Sequence, residues 1–276
     1  MKDNQLTKKL HLWSDKELKV LQENYSSNNI SLFLPNKTKS SIYHKASRLN
    51  LKREMRTRKY SVNHNFFKEF APQMAYLLGW WFSDGSVSKN LKQISIHINN
   101  KDKEILNLIS QTLNNNRPIK EYNNSSYLVI QSKVLANDLI KLGCIPNKSL
   151  KIEFPNIPES LVSHFLRGFF DGDGSIYFNK PNTIIISFLG PYNFLFVLQS
   201  KIHKLLKIKS HPISKHKSIF RVCYYGNDAR KISFWLYNNS GNLYLKRKRE
   251  RFENHLRLRK NGPKTSNISS HGFTNA

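Results

Sequence analysis

Two aspartates in this sequence stand where an acidic side chain is electrostatically unfavourable. "AYLLGWWFSDGSVS" (75–88) and "HFLRGFFDGDGSIY" (164–177) are apolar, helix-like runs, and each closes on Asp followed at once by Gly: Asp84–Gly85 and Asp173–Gly174. The last carbonyls of a helix carry partial negative charge, so a carboxylate there opposes the helix dipole. The Gly after each Asp is expected to take the left-handed conformation that ends a helix, holding the Asp on the last turn. Gly79 and Gly168, with Ser83 and Gly172 one turn on, set small side chains along one stripe, which lets two helix backbones approach closely. Packed through that stripe, the helices bring Asp84 and Asp173 together. Two like charges at helix ends of one sign need compensation. A divalent cation supplies it, and an all-oxygen site with room for water and phosphate suits Mg2+, with Mn2+ able to substitute. The expected chemistry is metal-dependent phosphodiester hydrolysis, with Asp84, Asp173 and the adjacent Gly85 and Gly174 as the metal set. One Asp-Gly alone is ordinarily a turn; the repetition makes the signal.

The two runs overlie without a gap, 89 residues apart, matching Leu77 with Leu166, Gly79 with Gly168 and Ser86 with Ser175. The segments beyond the two runs are also alike. After the first come "QISIHIN", the helix "KDKEILNLISQTLN", strand candidates at 117–122 and 126–131, and the helix "KVLANDLIKLG". After the second come "NTIIISF", "YNFLFVLQSKIHKLL", strands near 211–215 and 219–225, and "DARKISFWLYN". Each half reads helix, two strands, helix, two strands, helix, an α+β fold. The expected domains are a helical unit at 1–60, halves at 61–158 and 159–258, and a flexible polar tail at 259–276.

Lys plus Arg outnumber Asp plus Glu 45 to 18, a formal charge of +27, which points to a polyanionic partner such as nucleic acid. A membrane partner is set aside, since the longest apolar runs, such as "MAYLLGWWF", are too short to span a bilayer. The N-terminal stretch lacks the apolar core of a secretory signal, and Cys144 and Cys223 show neither CxxC nor zinc spacing. Two buried free thiols and an intracellular location are expected.

"LLGWWFSDG" and "LRGFFDGDG", with the approach "GCIPNKSLKIEFPNIPESLVSHFLRGFFDGDGS", resemble the two motifs of LAGLIDADG homing endonucleases in their single-chain form, over roughly residues 70–255. The resemblance implies two pseudo-symmetric αββαββα halves whose sheets form a saddle over DNA, a monomer, and cleavage of both strands across the minor groove. It makes Asp84 and Asp173 the catalytic acids. It also offers Lys148, in "PNKS", and Lys248, in "YLKRKRERF", as pocket lysines, although in so Lys-rich a chain each could equally be a plain phosphate or solvent contact. Phe82 departs from the pattern, standing where Asp171 supplies an acid in the second copy. An intron-encoded double-strand endonuclease acting on a long DNA site is the leading expectation. The alternatives are an intron RNA maturase and a catalytically silent DNA-binding regulator on the same scaffold.

Alternation in "QISIHIN" turns Gln93, Ser95, His97 and Asn99 away from the isoleucines, toward bases in a major groove or simply toward solvent. Arg117, Lys215, Lys217 and Arg221 are expected to add DNA contacts, and "LKRKRERFENHLRLRK" to follow the phosphate backbone. The first region opens with a capping-box pattern at Ser14 and Glu17, and "KSSIYHKASRLNL" sets Ile42, Ala46 and Leu49 opposite Lys39, Tyr43, Lys45 and Arg48. Residues 10–53 resemble Myb/SANT-like helix-turn-helix units, which implies that this basic face enters the major groove; a solvated face of a small bundle is the other reading.

Overall fold

The computed structural model describes residues 13–26, 30–51, 59–179 and 183–261. It falls into two compact units, residues 1–59 and 60–276.

In the first unit, α1 (Asp15–Asn24) begins on the capping box: Ser14 Oγ accepts from Glu17 N at 3.3 Å, and Glu17 Oε2 accepts from Ser14 N at 2.9 Å. A short α2 (Ile30–Phe33) comes next, and then α3 (Lys39–Arg48), capped by Thr38. Leu21, Ile30, Leu34, Ile42 and Ala46 form a small core of their own. Lys39, Tyr43 and Arg48 are left exposed on α3, while Lys45 is half-buried.

The second unit repeats one plan twice. Its first half runs α4 (Pro72–Phe82), β1 (Gly85–Val87), β2 (Ile94–Asn99), α5 (Lys103–Thr112), β3 (Lys120–Tyr122), β4 (Ser125–Ile130) and α6 (Lys133–Lys141). The second runs α7 (Val162–Asp173), β5 (Ser175–Asn179), β6 (Thr183–Gly190), α8 (Tyr192–Leu206), β7 (Ile213–His216), β8 (Ile219–Tyr225) and α9 (Gly226–Tyr237), with α10 (Lys246–Asn261) after it. Each half holds a four-stranded antiparallel sheet, in the orders β1-β2-β4-β3 and β5-β6-β8-β7. The α+β architecture with two pseudo-symmetric αββαββα halves is therefore the observed one.

The position of α4 explains why it is apolar all round. Every residue from Met74 to Phe82 is buried, since α4 is enclosed by its own half and by α7. One continuous core joins both halves. The sheets instead bury one face: Ile94, Ile96 and Ile98 turn inward, and Ser95, His97 and Asn99 outward, opposite Val129, Tyr127 and Ser125 respectively. Among the described residues no helix is long and apolar enough to cross a membrane. Cys144 is buried and Cys223 only half-buried on β8, and both are free thiols. Of the expected tail, 259–261 continue α10, and 262–276 lie outside the described residues.

Candidate active site

The small-residue stripe puts α4 and α7 backbone against backbone. A Cβ on Gly79 would lie 2.2 Å from the Phe165 carbonyl oxygen, and one on Gly168 would lie 2.0 Å from that of Tyr76. Further along, a Cβ on Gly172 would meet Ser83 Oγ at 2.0 Å and Asp84 Oδ2 at 3.1 Å. The Asp84 carboxylate thus rests against the residue that precedes Asp173.

The glycines after the aspartates serve a different end from the one expected. Gly174 has φ −74° and ψ 161°, an extended conformation open to any residue, and Gly85 opens β1. Neither is left-handed. A side chain is excluded there by proximity: a Cβ on Gly85 would sit 2.5 Å from Trp81 Cα, and one on Gly174 2.6 Å from the Phe170 carbonyl oxygen. The chain passes from helix to strand so tightly that only glycine fits. Asp84 lies just beyond α4, and Asp173 is the last residue of α7.

The environment of the pair is strained electrostatically. Lost solvation, and then the charge of Asp173, push the Asp84 carboxyl up to about 6. Lost solvation also raises Asp173, against the pull of Lys148 and Lys248. Both lysines are buried. Their burial lowers each from the ordinary lysine range, Lys248 to about 8. Lys148 Nζ donates to the Ser83 carbonyl at 2.6 Å. Lys248 Nζ donates to the carbonyls of Phe170, Asp171, Gly172 and Gly174 at 2.5–3.2 Å. Each ammonium therefore sits on the negative end of a motif helix, which offsets the very dipole that makes the aspartates unfavourable. Neither expectation for the lysines, pocket lysine or plain phosphate or solvent contact, included this capping role, which depends on partners far away in sequence.

Gly174 is correspondingly engaged, its carbonyl taking one Lys248 donor. Among the described residues no group of three or more His, Cys, Asp or Glu is arranged to hold a metal. Any ion here would have two carboxylates from protein and would complete its shell with water and phosphate, the habit of Mg2+.

On the open face of the first sheet stand Ser95, His97 and Asn99, with His97 stacked on Tyr127 at 4.1 Å. Gln93 precedes the strand and is half-buried. Sequence alternation missed Lys120 and Tyr122, which pair with Tyr127 and Ser125 and share that face. Arg117 lies over the Tyr60 ring at 5.5 Å. On the second sheet Arg221 shares the open side with Cys223 and Tyr225, whereas Lys215 pairs with Phe220 on the side of Ile213 and Val222, toward the helices. Lys217 is in the β7–β8 turn with φ 54°. The C-terminal basic run does not simply track a ligand, because Lys248, Phe252 and His255 of α10 are buried in the fold.

A family model described as a LAGLIDADG-like domain matches residues 71–139. Among solved structures, the chain is similar to "the I-LtrWI LAGLIDADG homing endonuclease bound to target DNA", at 13% identity and TM-score 0.47, over 72% of this chain and 92% of that one. It is similar also to the LAGLIDADG meganuclease I-AabMI bound to uncleaved DNA, at 12% identity and TM-score 0.49, covering 69% and 91%. Full-length DUF199/WhiA from Thermatoga maritima matches at 15% identity and TM-score 0.43, covering 74% and 67%. Likeness this distant says nothing about activity. No curated protein matches. The chain carries a LAGLIDADG-like domain in residues 71–139, with a second copy of the same order of helices and strands in 162–237.

Proposed function

We propose that this chain is a site-specific DNA endonuclease that cuts both strands, one at Asp84 and one at Asp173. The observation that carries the reading is the approach of two repeat-related aspartates at the ends of helices packed backbone to backbone, with Asp84 against Gly172 and within the field of Asp173. The LAGLIDADG-like domain, the formal charge of +27 and two sheets with outward polar side chains support it.

The donor set fits a hard divalent cation. Two carboxylates, each raised by lost solvation and Asp84 also by its neighbour, are relieved by Mg2+ or Mn2+ more than by zinc. Asp84 and Asp173 would hold it, with Gly85 beside the first. When bound, such an ion lowers the pKa of an attacking water and neutralises charge on the phosphate oxygens. The chain's own residues do the rest. The touching helices fix the separation of the carboxylates, so that the two reaction centres cannot drift apart. Lys148 spends one donor on the Ser83 carbonyl and keeps the others for a phosphate oxygen. Lys248 spends its donors on carbonyls and holds the end of α7 in place. Ser95, His97 and Asn99 present donors and acceptors able to read base edges. The basic face of α3, in the separate first unit, would add affinity for DNA rather than chemistry.

Incubation of the protein with a plasmid library of randomised sites and Mg2+, and then sequencing of the ends, tests the reading. Discrete double-strand cuts that vanish with EDTA are expected. Binding of intron RNA with no cut site in the library would favour a maturase and overturn the nuclease.

A further inference from the structure

We infer that Arg247 binds the scissile phosphate of the Asp84 half-site, reaching it from the last helix of the chain. The inference rests on the nuclease reading and deepens it, by making the two half-sites unequal.

Beside Asp84 lies a cavity of about 310 Å3, lined among others by His97, Asn99, Asp102, Gly172 and Arg247. Arg247 belongs to α10, whereas Asp84, His97 and Asn99 belong to the first half. The guanidinium is brought across by Asp102, whose side chain is only 10% exposed. Arg247 Nε donates to both Asp102 oxygens, at 2.8 and 3.1 Å, and Nη2 donates to Oδ2 at 2.9 Å. This fork uses one edge of the planar group. Among the described residues Nη1 donates to no protein acceptor, and the side chain, 42% exposed, lines both this cavity and a second one beside α5 and Tyr244. An arginine fixed along one edge by a carboxylate, with its other edge unengaged and lining a cavity shared with a hydrolytic carboxylate, is arranged to take a phosphate oxygen. A bridge that merely tied α10 to α5 would need neither the free edge nor the opening.

The second half has no counterpart. Asp102 holds the position just before α5 without capping it, its oxygens going to Arg247, and the residue in the same place before α8 is Pro191, which has no side-chain acceptor. Between α6 and α7 stand only short 3-10 turns, Lys148–Leu150 among them, where the sixteen-residue α10 stands after α9. The strand cut at Asp84 therefore gains a cation that the strand cut at Asp173 lacks.

The test uses the full chain and a supercoiled plasmid carrying a site recovered from the randomised library, end-labelled on either strand. With Mg2+, Arg247→Ala is expected to slow cleavage of the strand served by Asp84 by roughly 10²-fold, so that nicked circles accumulate, while the other strand is cut near the wild-type rate. Arg247→Lys should restore only part of the loss, because it keeps the charge and loses the fork. In EDTA, the dependence of log binding constant on log salt should become shallower by about 0.9 in Arg247→Ala, one phosphate contact fewer. Equal slowing of both strands, with an unchanged salt slope, would assign the bridge to folding alone and overturn the inference. So would unchanged cleavage of both. A wild-type protein that cuts no site overturns the nuclease reading, and this inference with it.

Discussion

The two motif helices reach the same end point through different chemistry. Two residues before the aspartate, α4 carries an apolar side chain: Phe82 is buried and meets Phe165 edge-on at 5.3 Å, and beside it Cys144 Sγ donates to the Trp81 carbonyl at 3.3 Å. At the end of α7 the equivalent residue is Asp171, equally buried but polar. It accepts from Tyr76 Oη at 2.9 Å, Tyr237 Oη at 2.8 Å and Leu245 N at 2.8 Å. Nearby, Arg167 is buried too and donates to the carbonyls of Leu236 and Leu243. The difference shows that the acid two residues before Asp173 is not a spare ligand. Its oxygens are spent on the protein, tying α7 to α4, to α9 and to the chain entering α10. The first half has no helix like α10 to anchor, so a phenylalanine suffices there.

The largest expected effect concerns what the halves share. Asp84→Asn and Asp173→Asn should each lower double-strand cutting by roughly 10³-fold, about 4 kcal/mol in barrier, with circular dichroism and melting little changed. If one substitution were harmless, the halves would differ in chemistry and not only in support. Next in size is Asp171→Ala, which strands two tyrosine hydroxyls and an amide; a loss of about 3 kcal/mol in urea unfolding is expected. Phe82→Leu should cost about 1 kcal/mol, since it removes packing alone. Equal losses at the two positions would mean that the network adds nothing beyond volume. A third contrast is Lys248→Met against Lys148→Met. The first uncaps four carbonyls and the second one, so about 2 against about 1 kcal/mol is expected from the same unfolding measurement.

Much of this architecture was legible because it is local or repeated. Gly79 and Gly168 announced the close crossing, the isoleucines of β2 gave its inward face, and the order of elements could be copied from one half to the other. The features that stayed hidden depend on partners distant in the chain. Nothing near Lys248 in sequence shows that it will cap a helix ended 75 residues earlier, at Asp173. The clue was present but masked: Lys248, Phe252 and His255 have the spacing of a buried helix face, within a run so basic that it reads as surface. Gly85 and Gly174 misled for another reason. Glycine is required both by positive φ and by close approach, and residue type alone does not separate the two. The face of Lys215 stayed illegible because its neighbours in β7 do not alternate clearly between apolar and polar; pairing with Phe220 sets its side of the sheet, where it remains exposed.

The smallest expected effect separates the halves by acidity. His164 lies on α7, where the matching residue of α4 is the buried Ala75. Arg167 Nη1 donates to His164 Nδ1 at 3.2 Å, so the imidazole must be neutral to accept. Burial, and then the Arg167 charge, lower its pKa to about 4. In the unfolded chain the same imidazole takes up a proton near 6.5. Between those values the unfolded state binds more protons, so stability rises with pH. The contribution is complete above about 6.5 and is lost as pH falls toward 4. Because His164 is only half-buried, solvent screens the effect and it should be modest. In urea titrations from pH 7 to pH 4, His164→Gln should lose less stability than the wild type, since glutamine has no proton to gain. Parallel curves for the two proteins would show that the histidine is free to charge in the fold, and that α7 tolerates a second cation beside Arg167.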